Sequence, residues 1–360
     1  MKIIFICTKS ITFNSFLKSQ ADCFLKRGID VEVACSDIEN LNLKNNATHN
    51  IDFPDKIIKF FNLINYIKVF IQIKRLIKNN PSKIFYIHTP VASHLFRLFT
   101  FFNKLKIIYF VHGFRFQLTS KSIKNFFFKT IEKALSYKTD IFITINKHDF
   151  NYAKLKLASK SACYKVNGVG LNLSPKHFKK KIRKKRYIKK ILVIAAYKKE
   201  KGYLEILKVA KLLEGKNIKI ECFGYGNFDF FNAIKLEKKL DNISFNYFDN
   251  NLKKKIKNFD IMLHLSKREG LPVGVMESLS EGLPVICYDV RGNNDLIKDK
   301  FNGYFVNSYK DVPNKIYHLN SKKKILHKMS FNAFKSINKD FVDKKINLQI
   351  YKIIKKHFIQ

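Results

Sequence analysis

The sequence predicts an α/β fold made of two doubly wound, parallel-sheet domains in tandem, and three observations carry that reading. The chain has 360 residues, too many for one ordinary core and suited to two domains of moderate size. Short apolar, β-rich runs alternate with longer segments of helical period, the pattern of parallel βαβ units with right-handed crossovers. The alternation pauses at a basic stretch near the middle and then restarts. Two such sheets, with their strand ends facing a crevice, would place a ligand site between the domains.

In the first half, strands are expected at Ile3–Cys7, Val31–Cys35, Ile84–His88, Lys106–Val111, Ile141–Ile145 and Ala162–Val166, with helices between them. After "NGVGLN" comes "SPKHFKKKIRKKRYIKK", with one proline, few apolar residues and many cations, which reads as a linker. The second series is expected at Ile191–Ala196, Ile218–Gly224, Ile243–Tyr247, Ile261–Ser266, Pro284–Asp289 and Gly303–Asn307. The expected division is therefore residues 1–172, a linker at 173–190, a second domain at 191–338 and a last helical segment at 339–360.

The formal net charge of +41 suggests anionic partners: a lipid surface, a phosphorylated substrate or nucleic acid. Lys, Ile, Asn and Phe are enriched together along the whole chain, so compositional bias is an equal explanation. No run of interleaved basic, aromatic and glycine residues marks a nucleic-acid-binding motif, and none is expected as a partner. The six cysteines lie far apart, mostly inside apolar runs, without metal-site spacing. They read as reduced core residues of a cytoplasmic protein. "MKIIFICTKS" lacks the long apolar region of a signal peptide, and no uninterrupted apolar run approaches the ~18 residues of a spanning helix. The chain is expected to lie on a membrane rather than cross it.

The stretch "SKREGLPVGVMESLSEGLPVICYDV" sets Glu269 and Glu277 eight positions apart. "KREGLP" is the turn after a buried strand, and Pro272 suits the first position of a helix because its missing N–H is unpaired there anyway. Glu269 then lies in the loop and Glu277 about a turn and a half into the helix. Two carboxylates so placed can bracket a polyhydroxylated ligand while the free N–H groups near Leu271–Gly274 face a phosphate. On spacing alone the preferred reading is plainer: Glu269 complements a helix N-terminus and Glu277 lies on a solvated face.

The run from Ser266 to Ile297, with "REGLP", "GLPVI" and "RGNNDLI" in register, resembles the family 4 glycosyltransferases of the GT-B fold. The resemblance implies that Glu269 contacts a donor sugar, Glu277 the ribose hydroxyls of a nucleotide, and Gly270, Leu271, Pro272 and Val273 the sugar and phosphates. Lys201 and Gly202 match the family's Lys-Gly, whose lysine meets the diphosphate, so Lys201 would neutralise leaving-group charge. "FGYGN" resembles the loop beside the nucleobase, with Gly224 and Gly226 permitting close backbone approach. His112, in "HGFRF", is similar to a motif of members that build capsules, lipopolysaccharide and lipid-linked oligosaccharides, and would face the reaction centre. His88, in "YIHTPVASH", reads as architectural.

Two departures stand out. The family's arginine five residues before the lysine is Ala196 here, with Lys198 or Lys199 as candidate replacements. The first loop, "CTKSITFNS", has no glycine and receives no phosphate role. No Asp-x-Asp occurs anywhere, so no metal and no other cofactor is expected.

Two stretches mix Phe, Ile and Leu with lysines: Phe60–Asn80 and Ser120–Leu135. For the first, an ordinary helix with one apolar face is the preferred reading. For the second, Phe126, Phe127 and Phe128, flanked by Lys124 and Lys129, are expected to meet lipid or acceptor. The resemblance therefore implies a retaining, metal-independent transferase that moves a sugar from a UDP-linked donor to a polyprenyl-diphosphate-linked or other lipid-anchored saccharide, on an anionic membrane surface at the inner face of the cell membrane. The alternatives are a sugar-nucleotide epimerase of the same fold and a basic nucleic-acid-binding protein.

Overall fold

A computed structural model describes residues 1–43, 47–55, 63–80, 83–117, 122–174, 176–177, 187–248, 251–337 and 339–358. Most of the expected linker, including residues 178–186, lies outside them. The chain forms two compact units, Met1–Asn172 with Val342–Gln360, and Leu173–Phe341.

The first unit contains seven parallel strands: β1 Lys2–Lys9, β2 Asp30–Ser36, β3 Thr48–Asn50, β4 Ile84–Ile87, β5 Lys106–Val111, β6 Ile141–Thr144 and β7 Ala162–Lys165. Their order across the sheet is β3-β2-β1-β4-β5-β6-β7, and every pairing is parallel. Helices cover both faces of such a sheet, so its central strands are apolar throughout rather than alternating. Ile3, Ile4, Phe5, Ile6 and Cys7 of β1 are all fully buried. One core cluster packs Ile4, Ile6, Phe85 and Ile87 against Val69, Ile73, Leu76 and Ile77 of the helix Leu63–Lys78 and Phe96 of the helix Pro90–Phe99. Fully burying an Ile or Phe contributes ~1.5–3 kcal/mol, so this layer fastens both helices to the sheet. The strand β3 was not foreseen. It is three polar residues at the edge of the sheet, held by pairing to β2 and by His49 Nε2 lying 2.8 Å from Glu32 Oε2.

The terminal helix Asp343–Phe358 packs on the helix Lys18–Leu25 of the same unit. Ser19 Oγ donates to Asp343 Oδ2 at 2.8 Å, and the Arg27 guanidinium lies 5.3 Å from the Tyr351 ring centroid.

The second unit holds β8 Lys190–Ile194, β9 Lys219–Gly224, β10 Ile243–Tyr247, β11 Ile261–His264, β12 Val285–Tyr288 and β13 Gly303–Val306, in the order β10-β9-β8-β11-β12-β13. All of its pairings are also parallel. Every strand expected from the sequence is present, and each sheet reverses its winding once, at β1/β4 and at β8/β11. Loops leaving the carboxyl ends of the strands diverge there, which makes these two points the natural ligand positions of the fold.

The helix Ile123–Ser136 corrects one expectation. Ser122 caps it by accepting from the Asn125 N–H. Phe126 and Phe127 are 71% and 49% exposed, but Phe128 is only 2% exposed and belongs to the core cluster with Tyr109, Phe114 and Phe142. Three consecutive helical residues span most of a turn, so a triplet cannot share one surface. Phe128 is therefore a packing residue and not a lipid contact.

The helix Leu63–Lys78 departs from the ordinary amphipathic reading in the opposite sense. Val69, Ile73, Leu76 and Ile77 are buried, while Leu63 and Ile64 are 71% and 80% exposed and Ile67, Phe70 and Ile71 are exposed beside them. It carries a second apolar face, on which Phe70 meets the Phe99 ring edgewise at 5.3 Å and Leu63 and Ile64 are the most exposed.

Candidate donor-sugar site

The site of the second unit forms where its winding reverses. After β8 the chain makes a short turn, Lys199–Lys201, followed by Gly202 and the helix Tyr203–Leu212. After β11 it makes the Glu-Gly turn, with Pro272 as the cap residue of the helix Val273–Ser280 rather than its first turn residue. Gly202 has φ +81°, and a Cβ there would lie 2.1 Å from the Leu265 carbonyl oxygen. Only glycine permits that approach, which presses the two loops together. Lys267 N–H donates to the Glu200 carbonyl at 3.0 Å and locks them.

The consequence is an ion pair across the two loops: Lys201 Nζ lies 2.7 Å from Glu269 Oε1. His264, buried at the end of β11, brings Nε2 to 3.2 Å from the same oxygen, close enough for charge attraction but not aligned as a hydrogen bond. Burial alone would raise the Glu269 pKa; His264 and Lys201 outweigh it and hold the carboxyl down to about 2. Both Lys201 and His264 lie on Oε1, and Oε2 has no partner among the described residues. Glu269 is thus anchored by one oxygen and presents the other.

The "RGN" segment braces the backbone that carries this carboxylate. Arg291 Nε donates to the Glu269 carbonyl oxygen at 2.8 Å. Gly292, at φ +83°, sits so close to the Glu-Gly turn that a Cβ would come within 2.2 Å of the Gly270 oxygen. The helix Val273–Ser280 enters against β8, with the Cβ position of Gly274 only 3.1 Å from Ile194. Leu271 and Pro272 are buried, and Val273 is half-buried. The first N–H groups of a helix have no intrahelical acceptor, so this entry offers donors beside Glu269.

Glu277 lies just over one turn into that helix, largely buried, with Lys253 Nζ 3.3 Å from its Oε1. Burial raises its pKa, and the exposed Lys253 only partly offsets this. Its charge is under-compensated, so hydroxyl donors would be favourable partners. Of the two glycines at the end of β9, Gly224 approaches the Ala195 carbonyl, at 2.0 Å from a Cβ, whereas a Cβ at Gly226 would make only ordinary contact with Tyr197, 3.8 Å away, so glycine is needed there for its φ of +99°. Ala196 contributes no side chain to the site. Lys198 is exposed, and Lys199 places Nζ 4.9 Å from the Phe230 ring centroid.

In the first unit, His112 follows β5 and His88 follows β4. His88 Nδ1 and His112 Nε2 are 3.2 Å apart. Burial lowers the His112 pKa to about 4. Ser10, in the glycine-free first loop, gives its N–H and hydroxyl to Asp37 Oδ1 and Oδ2, each at 2.9 Å, so both of its donors are already used. On the first half of the helix Ile123–Ser136, Lys124 and Phe126 are exposed and Lys129 is half-buried.

Sequence reasoning missed His264, Arg291 and Lys253. A histidine closing the apolar strand "IMLH" was the available signal for the first. For the others, only the pairing of distant loops brings them in.

Comparison with known proteins is consistent with this arrangement. Residues 2–146 match the family described as glycosyl transferase 4-like, and residues 175–336 the family described as glycosyl transferases group 1. EpsD of Bacillus subtilis, named for a glycosyltransferase, is 27% identical over 323 residues, covering 85% of this chain and 83% of its own. The Escherichia coli UDP-Gal:alpha-D-GlcNAc-diphosphoundecaprenol alpha-1,3-galactosyltransferase is 23% identical over 279 residues, covering 71% of this chain and 70% of its own. The solved structure of HepE from Anabaena in complex with UDP aligns with a TM-score of 0.76 at 13% identity, over 99% of this chain and 100% of that one. With two parallel-sheet units of this strand order and both halves matched, the chain belongs to the glycosyltransferases of the GT-B fold, 4-like in its first half and group 1 in its second.

Proposed function

We propose that this glycosyltransferase takes a sugar, a hexose or N-acetylhexosamine, from a UDP-linked donor and attaches it to a polyprenyl-diphosphate-linked or similarly lipid-anchored saccharide in surface polysaccharide synthesis. The observation that carries the reading is the half-satisfied Glu269: one oxygen is held by Lys201 and His264, and the other is open to a sugar hydroxyl beside a helix entry rich in N–H donors. Lys201 then stands between carboxylate and diphosphate and stabilises charge as the nucleotide leaves. Glu277 accepts from the ribose diol, which repays part of its burial. His112 is the first unit's group at the reaction centre. Transfer proceeds with retention and without a metal; the lysine and helix donors supply the compensation a cation would otherwise give.

The names of two similar proteins support the donor and acceptor classes, since one was solved with UDP and the other uses a UDP-linked sugar and a diphosphoundecaprenol acceptor. Calorimetric titration of UDP, GDP and ADP into the wild type and Glu277→Ala, in EDTA and at salt high enough to screen unspecific binding, tests it. The expected result is saturable binding of UDP, at least tenfold weaker in the variant. Binding of all three nucleotides alike, independent of Glu277, would overturn the assignment.

The acceptor's lipid anchor gives the exposed apolar face of the helix Leu63–Lys78 a partner, with Lys68, Lys74, Arg75 and Lys78 on the same helix to meet anionic headgroups. Among the described residues no helix is long and apolar enough to cross a membrane. Phe126 and Phe127 would add to the same contact. Cosedimentation with vesicles containing anionic lipid should weaken severalfold in a Leu63→Ser/Ile64→Ser/Ile67→Ser chain; unchanged binding rules the face out.

A further inference from the structure

The His88 ring, fully buried, is boxed by three aromatic residues from β1, β4 and β5. It stacks on Phe5 at 7° and 5.6 Å, meets Tyr86 edgewise at 4.3 Å and lies 5.3 Å from Phe110. Its backbone N–H donates to the Ile6 carbonyl at 2.7 Å. The next residue, Thr89, is held at a positive φ of +54° by Thr8, whose hydroxyl lies 2.7 Å from Thr89 Oγ1 and whose N–H donates to it at 3.1 Å. This ring cannot turn. Its Nδ1 faces His112 Nε2 at 3.2 Å, and its Nε2 is buried with no partner among the described residues.

Two neutral imidazoles at that distance share one proton on the line between them, because two protons collide and none leaves opposed lone pairs. Their tautomers are therefore linked. A proton on His88 Nε2 would be a donor buried without an acceptor, whereas on Nδ1 it has His112. We infer that His88 is a positioning residue that fixes His112 as the Nδ1–H tautomer, with Nε2 accepting from His88 Nδ1 and Nδ1 left to donate to an oxygen of the reacting sugars. Burial lowers the pKa of both rings, that of His112 to about 4, and so favours the neutral pair. Phe5, Tyr86 and Phe110 bring no other titrating charge against the pair; the Tyr86 hydroxyl receives a hydrogen bond from Gln20 at 3.2 Å.

The part of this that concerns sugars rests on His112 being at the reaction centre, and the tautomer does not. Nitrogen-15 correlation spectra of the histidine rings, assigned with His112→Ala, are expected to show His112 protonated at Nδ1 and bare at Nε2. In His88→Leu it should revert to the Nε2–H form that a histidine ring favours in water. His88→Asn, whose amide nitrogen can stand where Nδ1 was, should keep the wild-type form and serves as the test if the leucine variant does not fold. A wild-type His112 protonated at Nε2, or an Nδ1–H signal that survives His88→Leu, overturns the inference. For turnover, followed as UDP release from UDP-glucose and UDP-galactose, His88→Leu should lower kcat roughly 10- to 100-fold with little change in KM, and nothing further in a His112→Ala background. Full activity in His112→Ala would instead remove His112 from the reaction centre and leave the tautomer result standing.

Discussion

Glu132 in the first unit and Glu269 in the second both have a pKa held near 2, against burial, by an imidazole and a Lys or Arg cation, yet the two are built differently. Glu132, in the first unit, gives Oε1 to Arg97 Nη2 at 2.7 Å and Oε2 to His94 Nε2 at 2.8 Å. Arg97 is itself fully buried, lies 4.5 Å from the Tyr109 ring centroid, and spends its other nitrogens on the Ser93 carbonyl and the Thr139 hydroxyl, each at 3.2 Å. Both oxygens are used, so this cluster is a fastener between the helices Pro90–Phe99 and Ile123–Ser136. Glu269 concentrates both partners on one oxygen and leaves the other open. The same charge compensation thus makes a structural joint where it is complete and a ligand position where it is half complete. The contrast extends to the loops: Asp37 takes both donors of Ser10 in the first loop of the first unit, while the corresponding loop of the second unit delivers Lys201 to the site.

The comparison breaks most visibly at Glu132. Replacing it by alanine strands Arg97 as an unpaired buried cation, which should cost ~3–5 kcal/mol of stability by thermal unfolding. UDP binding by whatever protein remains folded should be unchanged. If the variant melts like the wild type, the joint is not structural and the contrast with Glu269 collapses.

Glu269→Gln should do the reverse, lowering turnover by about 100-fold or more while changing stability less than Glu132→Ala does. The pH dependence sharpens the point. The Glu269 carboxyl has a folded-state pKa below its unfolded value, so its stabilisation is full above the ordinary glutamate range and is lost as pH falls toward about 2. A stability difference between wild type and Glu269→Gln, on the order of 1–3 kcal/mol at neutral pH, should therefore shrink on acidification. Glu277 runs the other way: its raised pKa makes its ionised form a liability that protonation relieves. A difference that stays constant from pH 7 to pH 3 would show that Glu269 is not held by its two partners.

Much of this was legible in the sequence, for local reasons. Strands buried on both faces must be continuously apolar, so the runs "IIFIC" and "IMLHLS" announced themselves, and a parallel, doubly wound order followed from their alternation with helices. The eight-residue spacing of Glu269 and Glu277 places one in a turn and one on the following helix whatever surrounds them. The polar edge strand Thr48–Asn50 carried no such signal, because pairing to β2 and not its own residues makes it a strand. The Phe126–Phe128 triplet misled for a related reason: composition marks a stretch as apolar, but the helical turn and the neighbouring sheet decide which ring points inward.

What the sequence determined by itself, then, was the alternation of elements, the identity of the carboxylates and lysine, and the family they resemble, since each depends on residues close together along the chain. Only the tertiary structure decided that Lys201 and His264 share one oxygen of Glu269, that Arg291 braces its backbone, that His88 lies against His112 and that Asp37 takes both donors of Ser10. Apart from His264, five residues from Glu269, those partners lie more than twenty positions apart along the chain, and the parallel order of each sheet brings their loops together.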